Sequence, residues 1–331
     1  MSNPKIIHTA VVGASGLVGE KFLQTLERRN FPVGDLVLYS TWRSAGRKMS
    51  FRDKEYTVVE LNDHSLRNFD LALFSAGSAV ARQWAGKFVQ QGALVVDNSS
   101  AFRKEEDIPL IVPEVNGDAV KKHRGIIANP NCSTIGLVMA LYPLHQIFRL
   151  KSIIVASFQS VSGAGRRARN ELREQLSGGS AEPEIFPRQI GGNVIPQIGD
   201  FLSGGETFEE EKFRSESRKI MGLADLEVAA TAVRVPVEVG HSLSVHAEFA
   251  LTPHLDSAIE RLEQSPGLIL LKNPQDFPTP RQIAGRDEVF IGRLRRTPGF
   301  PNGLDLWLCC DNLLKGAALN AVQIAELALL G

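Results

Sequence analysis

From Ile6 to about Asn129, short apolar runs alternate with stretches whose apolar residues recur at helical spacing. The runs Thr9–Val12, Leu36–Tyr39, Leu71–Ser75, Leu94–Asp97 and Gly125–Ala128 predict strands. Strands alternating with helices imply a parallel sheet wound with helices on both faces. From about Lys151 the texture changes. Lys151–Ser157, Glu227–Val235, Ser242–Leu251 and Leu304–Cys310 read as longer strands with partial alternation, suited to a mixed sheet covered on one face. Between them lies Ser177–Gly205, rich in Gly and Pro and expected to be loop. The last segment, Leu313 to Leu330, carries Leu314, Ala318, Val322, Ala325 and Leu329 at helical spacing. It is expected to pack back on the first domain. The pattern divides the chain into a doubly wound α/β domain over 1–130, completed by 311–331, and an α+β domain over 131–310.

Composition narrows the function classes. The 331 residues exceed the usual size of one core, which favours two domains. Lys plus Arg and Asp plus Glu both total 37, so no net field attracts nucleic acid or anionic lipid. A small anionic substrate must then be caught by a few placed cations. The three cysteines are Cys132, Cys309 and Cys310, the last two adjacent, where a bridge would be strained. No disulfide framework is readable, which favours a reducing, cytoplasmic setting. Met1-Ser2-Asn3-Pro4-Lys5 reads as no signal peptide, and no apolar run approaches the ~18–20 residues that span a bilayer. No Cys or His spacing suggests zinc, and no metal is expected.

Gly13-Ala14-Ser15-Gly16-Leu17-Val18-Gly19 stands between the first run and a helix starting near Val18. Glycines at such a turn let backbone approach a pyrophosphate, and a helix N-terminus offers it free N–H groups. At the first strand of an alternating pattern this points to a Rossmann-type dinucleotide site, although a tight turn with close helix packing gives the same glycines. After the second run, where an NAD site usually has Asp or Glu, the chain has Ser40-Thr41-Trp42-Arg43-Ser44. An arginine flanked by hydroxyls suits a 2′-phosphate, so NADP is the expected cofactor. Arg47 and Lys48 follow closely, and a solvated basic turn is the bland alternative.

Asn129-Pro130-Asn131-Cys132-Ser133-Thr134 is the most informative stretch. Asn-Pro-Asn makes a turn, and Ser133 and Thr134 can cap the helix that follows. Cys132 is thereby placed at a helix N-terminus, where partial positive charge favours a thiolate. Cys309 and Cys310, in an apolar strand, read as packing residues.

The glycine loop, the Arg43-Ser44-Ala45-Gly46 turn, Val96-Asp97-Asn98-Ser99-Ser100-Ala101-Phe102-Arg103, the cysteine motif and Gln159-Ser160-Val161-Ser162-Gly163-Ala164-Gly165 occur in this order. They are followed by Arg234-Val235-Pro236-Val237, Gly240-His241-Ser242 and Asp311-Asn312-Leu313-Leu314-Lys315-Gly316. Together they resemble the aspartate-β-semialdehyde dehydrogenase family over essentially the whole chain. The resemblance implies an NADP-binding domain, a catalytic and dimerisation domain, and a homodimer or homotetramer. It implies NADPH-dependent reduction of L-aspartyl-β-phosphate to the semialdehyde with release of phosphate, in the synthesis of lysine, methionine and threonine.

By the same resemblance Cys132 is the nucleophile, His241 its acid/base partner, and Gln159 a carboxamide donor near the thioester. Arg234 would grip the α-carboxylate, Glu216 the α-amino group, and Lys219 and Arg103 the phosphate. Glu216 and Lys219 are three apart and share a helix face, which by spacing alone fits a solvated ion pair. Gly13 through Gly19, Thr41, Arg43, Ser44, Ser75, Gly77, Ser162, Gly163 and Asn312 would hold the cofactor. His241 and His246, five apart, would face opposite sides of a strand. Two departures stand out: Trp42 is bulkier than the family's small residue, and Arg166-Arg167-Ala168-Arg169-Asn170-Glu171-Leu172 is shorter and more basic. The competing readings are an N-acetyl-glutamyl-phosphate reductase and a non-catalytic dinucleotide-binding paralogue. The retained Cys132, Gln159, Arg234 and His241 count against the paralogue, and the carboxylate of Glu216 counts against an acetylated amine.

Overall fold

The computed structural model describes residues 6–178 and 182–331, so the N-terminal pentapeptide and residues 179–181 of the Gly/Pro-rich loop lie outside the described residues. Two compact units emerge, Met1–Asn131 with Ala317–Gly331, and Cys132–Gly316.

In the first unit the strands are β1 (Ile7–Val12), β2 (Val33–Ser40), β3 (Lys48–Phe51), β4 (Lys54–Thr57), β5 (Val59–Glu60), β6 (Leu71–Phe74), β7 (Leu94–Asp97) and β8 (Ile126–Ala128). Six form one sheet in the order β5-β2-β1-β6-β7-β8, every pairing parallel, while β3 and β4 make a separate antiparallel hairpin. Helices α1 (Leu17–Arg28), α2 (Ser78–Gln90) and the short α3 (Pro113–Asn116) connect them. Alternate residues of β1 feed two cores. Ile7 and Val11 join Phe22 and Leu26 of α1 and Ala321 and Ile324 of the C-terminal helix Leu319–Leu329. Ala10 and Val12 join Trp84 and Phe88 of α2. Strands buried on both faces must be apolar at every position, which is why these runs lack alternation. The strand order reverses between β1 and β6. In open α/β sheets the crevice beyond the carboxyl ends of such a pair binds ligands.

The second unit carries β9 (Leu150–Gln159), β10 (Glu227–Arg234), β11 (His241–Phe249), β12 (Leu268–Leu270), β13 (Val289–Arg296) and β14 (Gly303–Cys310). Their order is β10-β9-β11-β14-β13-β12, with parallel pairs only at the two ends. Its helices are α4 (Cys132–Phe148), α5 (Arg166–Leu176), α6 (Phe208–Met221), α7 (Leu255–Glu263) and the short α8 (Pro280–Ile283). Helix α4 is apolar nearly all round and lies against α6, α7 and the sheet. On β9, Ile153, Val155, Ser157 and Gln159 are buried, whereas Ile154 is 60% exposed on the other face.

Register decides what meets at the end of this sheet. Gln159 pairs with Arg234, and Ser242 pairs with Phe158, so Gln159, Arg234 and His241 come to one sheet edge on one face. Cys310 pairs with His241 on the other side. Helix α6 closes over that face because its start is fixed twice. Thr207 and Glu210 form a capping box, and the second oxygen of Glu210 accepts the backbone N–H of Ala232 in β10 at 2.8 Å.

Candidate active site

In the first unit the glycine loop is built by close approach. Gly13 has φ +87°, and a Cβ there would lie 2.4 Å from the carbonyl oxygen of Ser75. A Cβ on Gly19 would lie 2.3 Å from the oxygen of Gly13 and 2.5 Å from that of Ala14. Only glycine lets α1 start this tightly against the turn, with Leu17 buried and Val18 half-buried beside it. A cavity of about 400 Å³ opens over the loop, lined among others by Gly13, Ser15, Gly16, Thr41, Ser44 and Ser75. Ser15 Oγ bridges Ser40 Oγ at 2.8 Å and Ser44 Oγ at 3.1 Å, tying the loop to the turn after β2. Gly77, with φ +85°, leads into α2 after β6. Arg43 is exposed, outside this lining, with its guanidinium 5.4 Å from the Trp42 ring. Trp42, itself 68% exposed, therefore stacks on the arginine. Arg103 is buried and donates from Nε to the carbonyl of Asn129 (2.9 Å) and from Nη2 to that of Asn98 (3.0 Å), just past the ends of β8 and β7.

In the second unit α4 opens on Cys132 itself, so Ser133 and Thr134 lie inside its first turn rather than ahead of it. Cys132 is half-buried, whereas Cys309 and Cys310 are fully buried. Burial pushes the Cys309 thiol up to about 12, with a hydrogen bond to Ser242 pulling the other way. Only Cys132 combines access with a helix N-terminus.

His241 has no exposed surface. Its Nδ1 accepts the backbone N–H of Ser160 at 3.1 Å and also lies 3.1 Å from Ser160 Oγ. A nitrogen that accepts carries no proton, so the neutral ring holds its proton on Nε2, which has no partner among the described residues. Burial, then the charge of Arg234, drives His241 down to about 3, with the charge of Glu209 pulling the other way. The ring is a neutral imidazole offering a donor. Arg234 donates from Nη1 to the carbonyl of Ser160 at 2.7 Å, beneath the Phe186 ring. Burial presses its guanidinium below the ordinary value, while Glu209 and then Cys132 oppose that by charge.

The turn Val161–Ala164 backs this pair. A Cβ on Gly163 would meet Arg234 Nη1 at 3.1 Å and His241 Nε2 at 3.5 Å. Asn312 braces the same turn. Its Oδ1 accepts from Ser160 Oγ, Ser162 Oγ and the Gly240 N–H, and its Nδ2 donates to Ser162 Oγ. Gln159 donates from Nε2 to Ser157 Oγ (3.2 Å) and Glu209 Oε1 (3.1 Å), which occupies both of its N–H bonds. In this arrangement the carboxamide turns its nitrogen into the protein. Glu216 is buried and Lys219 half-buried on α6, seven and ten residues beyond Glu209 and on the same helix face. His246 lies on the opposite sheet face from His241, between Asp305 (2.8 Å) and Glu248 (3.2 Å).

The second unit thus assembles Gln159, Ser160, Gly163, Arg234, His241 and Asn312 in one buried polar cluster. Glu209 and Ser160 were not singled out from sequence. The signal for Glu209 was its seven-residue spacing from Glu216. Ser160 stood within the Gln159–Gly165 motif, which marks its position but not its bonds to His241 and Asn312. Among the described residues no group of three His, Cys, Asp or Glu is placed to hold a metal, and no helix is long and apolar enough to cross a membrane.

A doubly wound domain with a glycine loop, joined in sequence to a mixed-sheet domain with a buried Arg/His cluster and a helix that opens on cysteine, defines a nicotinamide-dinucleotide-dependent oxidoreductase. Residues 8–123 match the family model of the semialdehyde dehydrogenase NAD binding domain, and residues 141–315 that of the semialdehyde dehydrogenase dimerisation domain. The chain is 48% identical to the aspartate-semialdehyde dehydrogenase of Aquifex aeolicus, covering 96% of each chain. It superposes on aspartate semialdehyde dehydrogenase II of Vibrio cholerae, complexed with ASA, with a TM-score of 0.96 at 41% identity over 99% of each chain. The enzyme of Candida albicans, solved with NADP, gives a TM-score of 0.76 at 25% identity over 98% of each chain. The chain belongs to the aspartate-semialdehyde dehydrogenase family.

Proposed function

We propose that this enzyme reduces L-aspartyl-β-phosphate to L-aspartate-β-semialdehyde through a thioester on Cys132, using NADPH. The observation that carries the reading is the charge relation around Cys132. A half-buried thiol begins a long apolar helix and interacts electrostatically with a buried arginine, itself set beside a neutral histidine. Helix N-terminus and guanidinium both favour a thiolate. The thiolate attacks the acyl carbon, the bond to the phosphate oxygen breaks, and phosphate leaves with the bonding pair. NADPH, when bound, supplies the hydride that reduces the acyl group. His241 meets the acyl oxygen as an Nε2–H donor and stabilises the negative charge the hydride leaves there, until the oxygen's electron pair reforms the carbonyl bond. When the carbon–sulfur bond breaks, the thiolate of Cys132 is restored.

The remaining roles follow the family pattern. Arg234 suits the α-carboxylate as a planar donor fork, and Glu216 the α-ammonium. Lys219 and Arg103 take the phosphate. Gly13, Ala14, Ser15, Gly16, Leu17, Val18 and Gly19 receive the dinucleotide, with Ser75 and Gly77 at the neighbouring strand end. Thr41, Arg43 and Ser44 stand where a 2′-phosphate calls for hydroxyls and a cation, which favours NADP over NAD. Ser162, Gly163 and Asn312 are assigned to the nicotinamide side, although Asn312 also braces the His241 loop. We assign units 1–130 with 311–331 and 131–310 to cofactor binding and to catalysis with dimerisation. The enzyme works as a homodimer in the cytoplasm, where three free cysteines persist.

The test is the reverse reaction. L-aspartate-β-semialdehyde, phosphate and NADP are mixed with the protein, and NADPH absorbance is followed alongside Cys132→Ser. Phosphate-dependent NADPH formation, lost in the variant, is expected. Activity confined to N-acetyl-glutamyl phosphate, or full turnover by Cys132→Ser, would sink the reading.

A further inference from the structure

Gln159 is held by its nitrogen end. A carboxylate accepts hydrogen bonds and cannot donate them, so the amide atom 3.1 Å from Glu209 Oε1 must be Nε2. The other oxygen of Glu209 takes Lys212 Nζ at 2.7 Å, with the two side chains only 8% and 16% exposed. Arg234 adds a second cation within electrostatic reach of Glu209, and neutral His241 lies within reach of both charges. Glu209 is itself fixed because the next residue, Glu210, closes the capping box of α6 and anchors it to Ala232. The carbonyl oxygen is the end of Gln159 that neither contact holds. Arg234 and the Nε2–H of His241 offer only donors, so a cluster built from them alone has no acceptor.

We propose that Glu209 is a positioning residue that locks the Gln159 amide, so that Gln159 serves the reaction as a hydrogen-bond acceptor through its carbonyl oxygen. Lys212 keeps Glu209 in the accepting state. The inference rests on the thioester reading above and deepens it. A family member with a carboxamide at this position and no acid behind it would leave the amide free to flip.

The experiment compares kcat and KM of the full-length enzyme in the reverse assay, with thermal unfolding measured on each variant. Glu209→Gln, whose amide both donates and accepts, removes the lock at constant shape. Its kcat is expected to fall by about tenfold or more, with KM for the semialdehyde changed by less than about threefold. The exchange Glu209→Gln with Gln159→Glu restores a donor facing an acceptor and leaves a carboxylate oxygen for the site. It is expected to recover most of the kcat lost in either single variant. Lys212→Met, a second route that spares the contact between Glu209 and Gln159, should move the acid limb of kcat to higher pH.

Outcomes separate cleanly. Cys132→Ser at full turnover overturns the thioester reading and this inference with it. With Cys132→Ser inactive, wild-type kcat in Glu209→Gln overturns the inference alone, even if its melting temperature drops. An exchange no better than Gln159→Glu, or an unmoved pH profile in Lys212→Met, also overturns it.

Discussion

The neutral state of His241 carries a measurable stability signature. The imidazole is fully buried, its Nδ1 is committed to the Ser160 N–H, and burial with Arg234 lowers it from 6.5 to about 3. In the unfolded chain the same histidine titrates near its ordinary value. Between these values the unfolded state binds the extra proton, so folding stability rises with pH across the window. The contribution is fully present above pH 6.5 and is lost as pH falls toward 3. At pH 5 the loss relative to pH 8 amounts to about 2 kcal/mol from this one group, by linkage between the two states. The assay is urea unfolding at pH 5, 6, 7 and 8, comparing the enzyme with His241→Asn. Both are made with Trp42→Phe and Trp84→Phe, so that fluorescence comes from Trp307, the third of three tryptophans and a member of β14. All other titrations cancel in the difference. The stability gap between the two proteins should narrow by about 2 kcal/mol from pH 8 to pH 5. Parallel curves across that range would refute a buried neutral imidazole.

Arg234→Lys should raise KM for the semialdehyde by about tenfold or more, because lysine cannot supply the planar donor fork, and unchanged kinetics would place the carboxylate elsewhere. Arg43→Ala should weaken NADPH use more than NADH use; equal losses would show that Arg43 serves only as a partner for Trp42. Gly19→Ala would force a methyl to within 2.5 Å of two carbonyl oxygens, so the loop must shift. Differential scanning calorimetry should find the first unit destabilised by about 1–3 kcal/mol, and a melting temperature equal to wild type would contradict the close packing.

The parallel sheet was legible because strands buried on both faces must be apolar throughout. β1, β6 and β7 feed cores on either side, and their runs stand out from the helices between them. The β3–β4 hairpin and β13 escaped, being short, or rich in arginine and glycine. Motif order also pointed to Cys132, Arg234 and His241, and the structure brings Arg234 and His241 together around Ser160. What motif order left open was direction. That His241 is a donor follows from one backbone N–H, that of Ser160, and the way Gln159 points follows from a carboxylate fifty residues away. Hydrogen-bond direction belongs to pairs of groups, and only register and helix docking decide which pairs meet. The residue types were therefore set by the chain alone, while their protonation, tautomer and orientation were set by tertiary structure, since burial and neighbouring charge arise only when distant segments pack together.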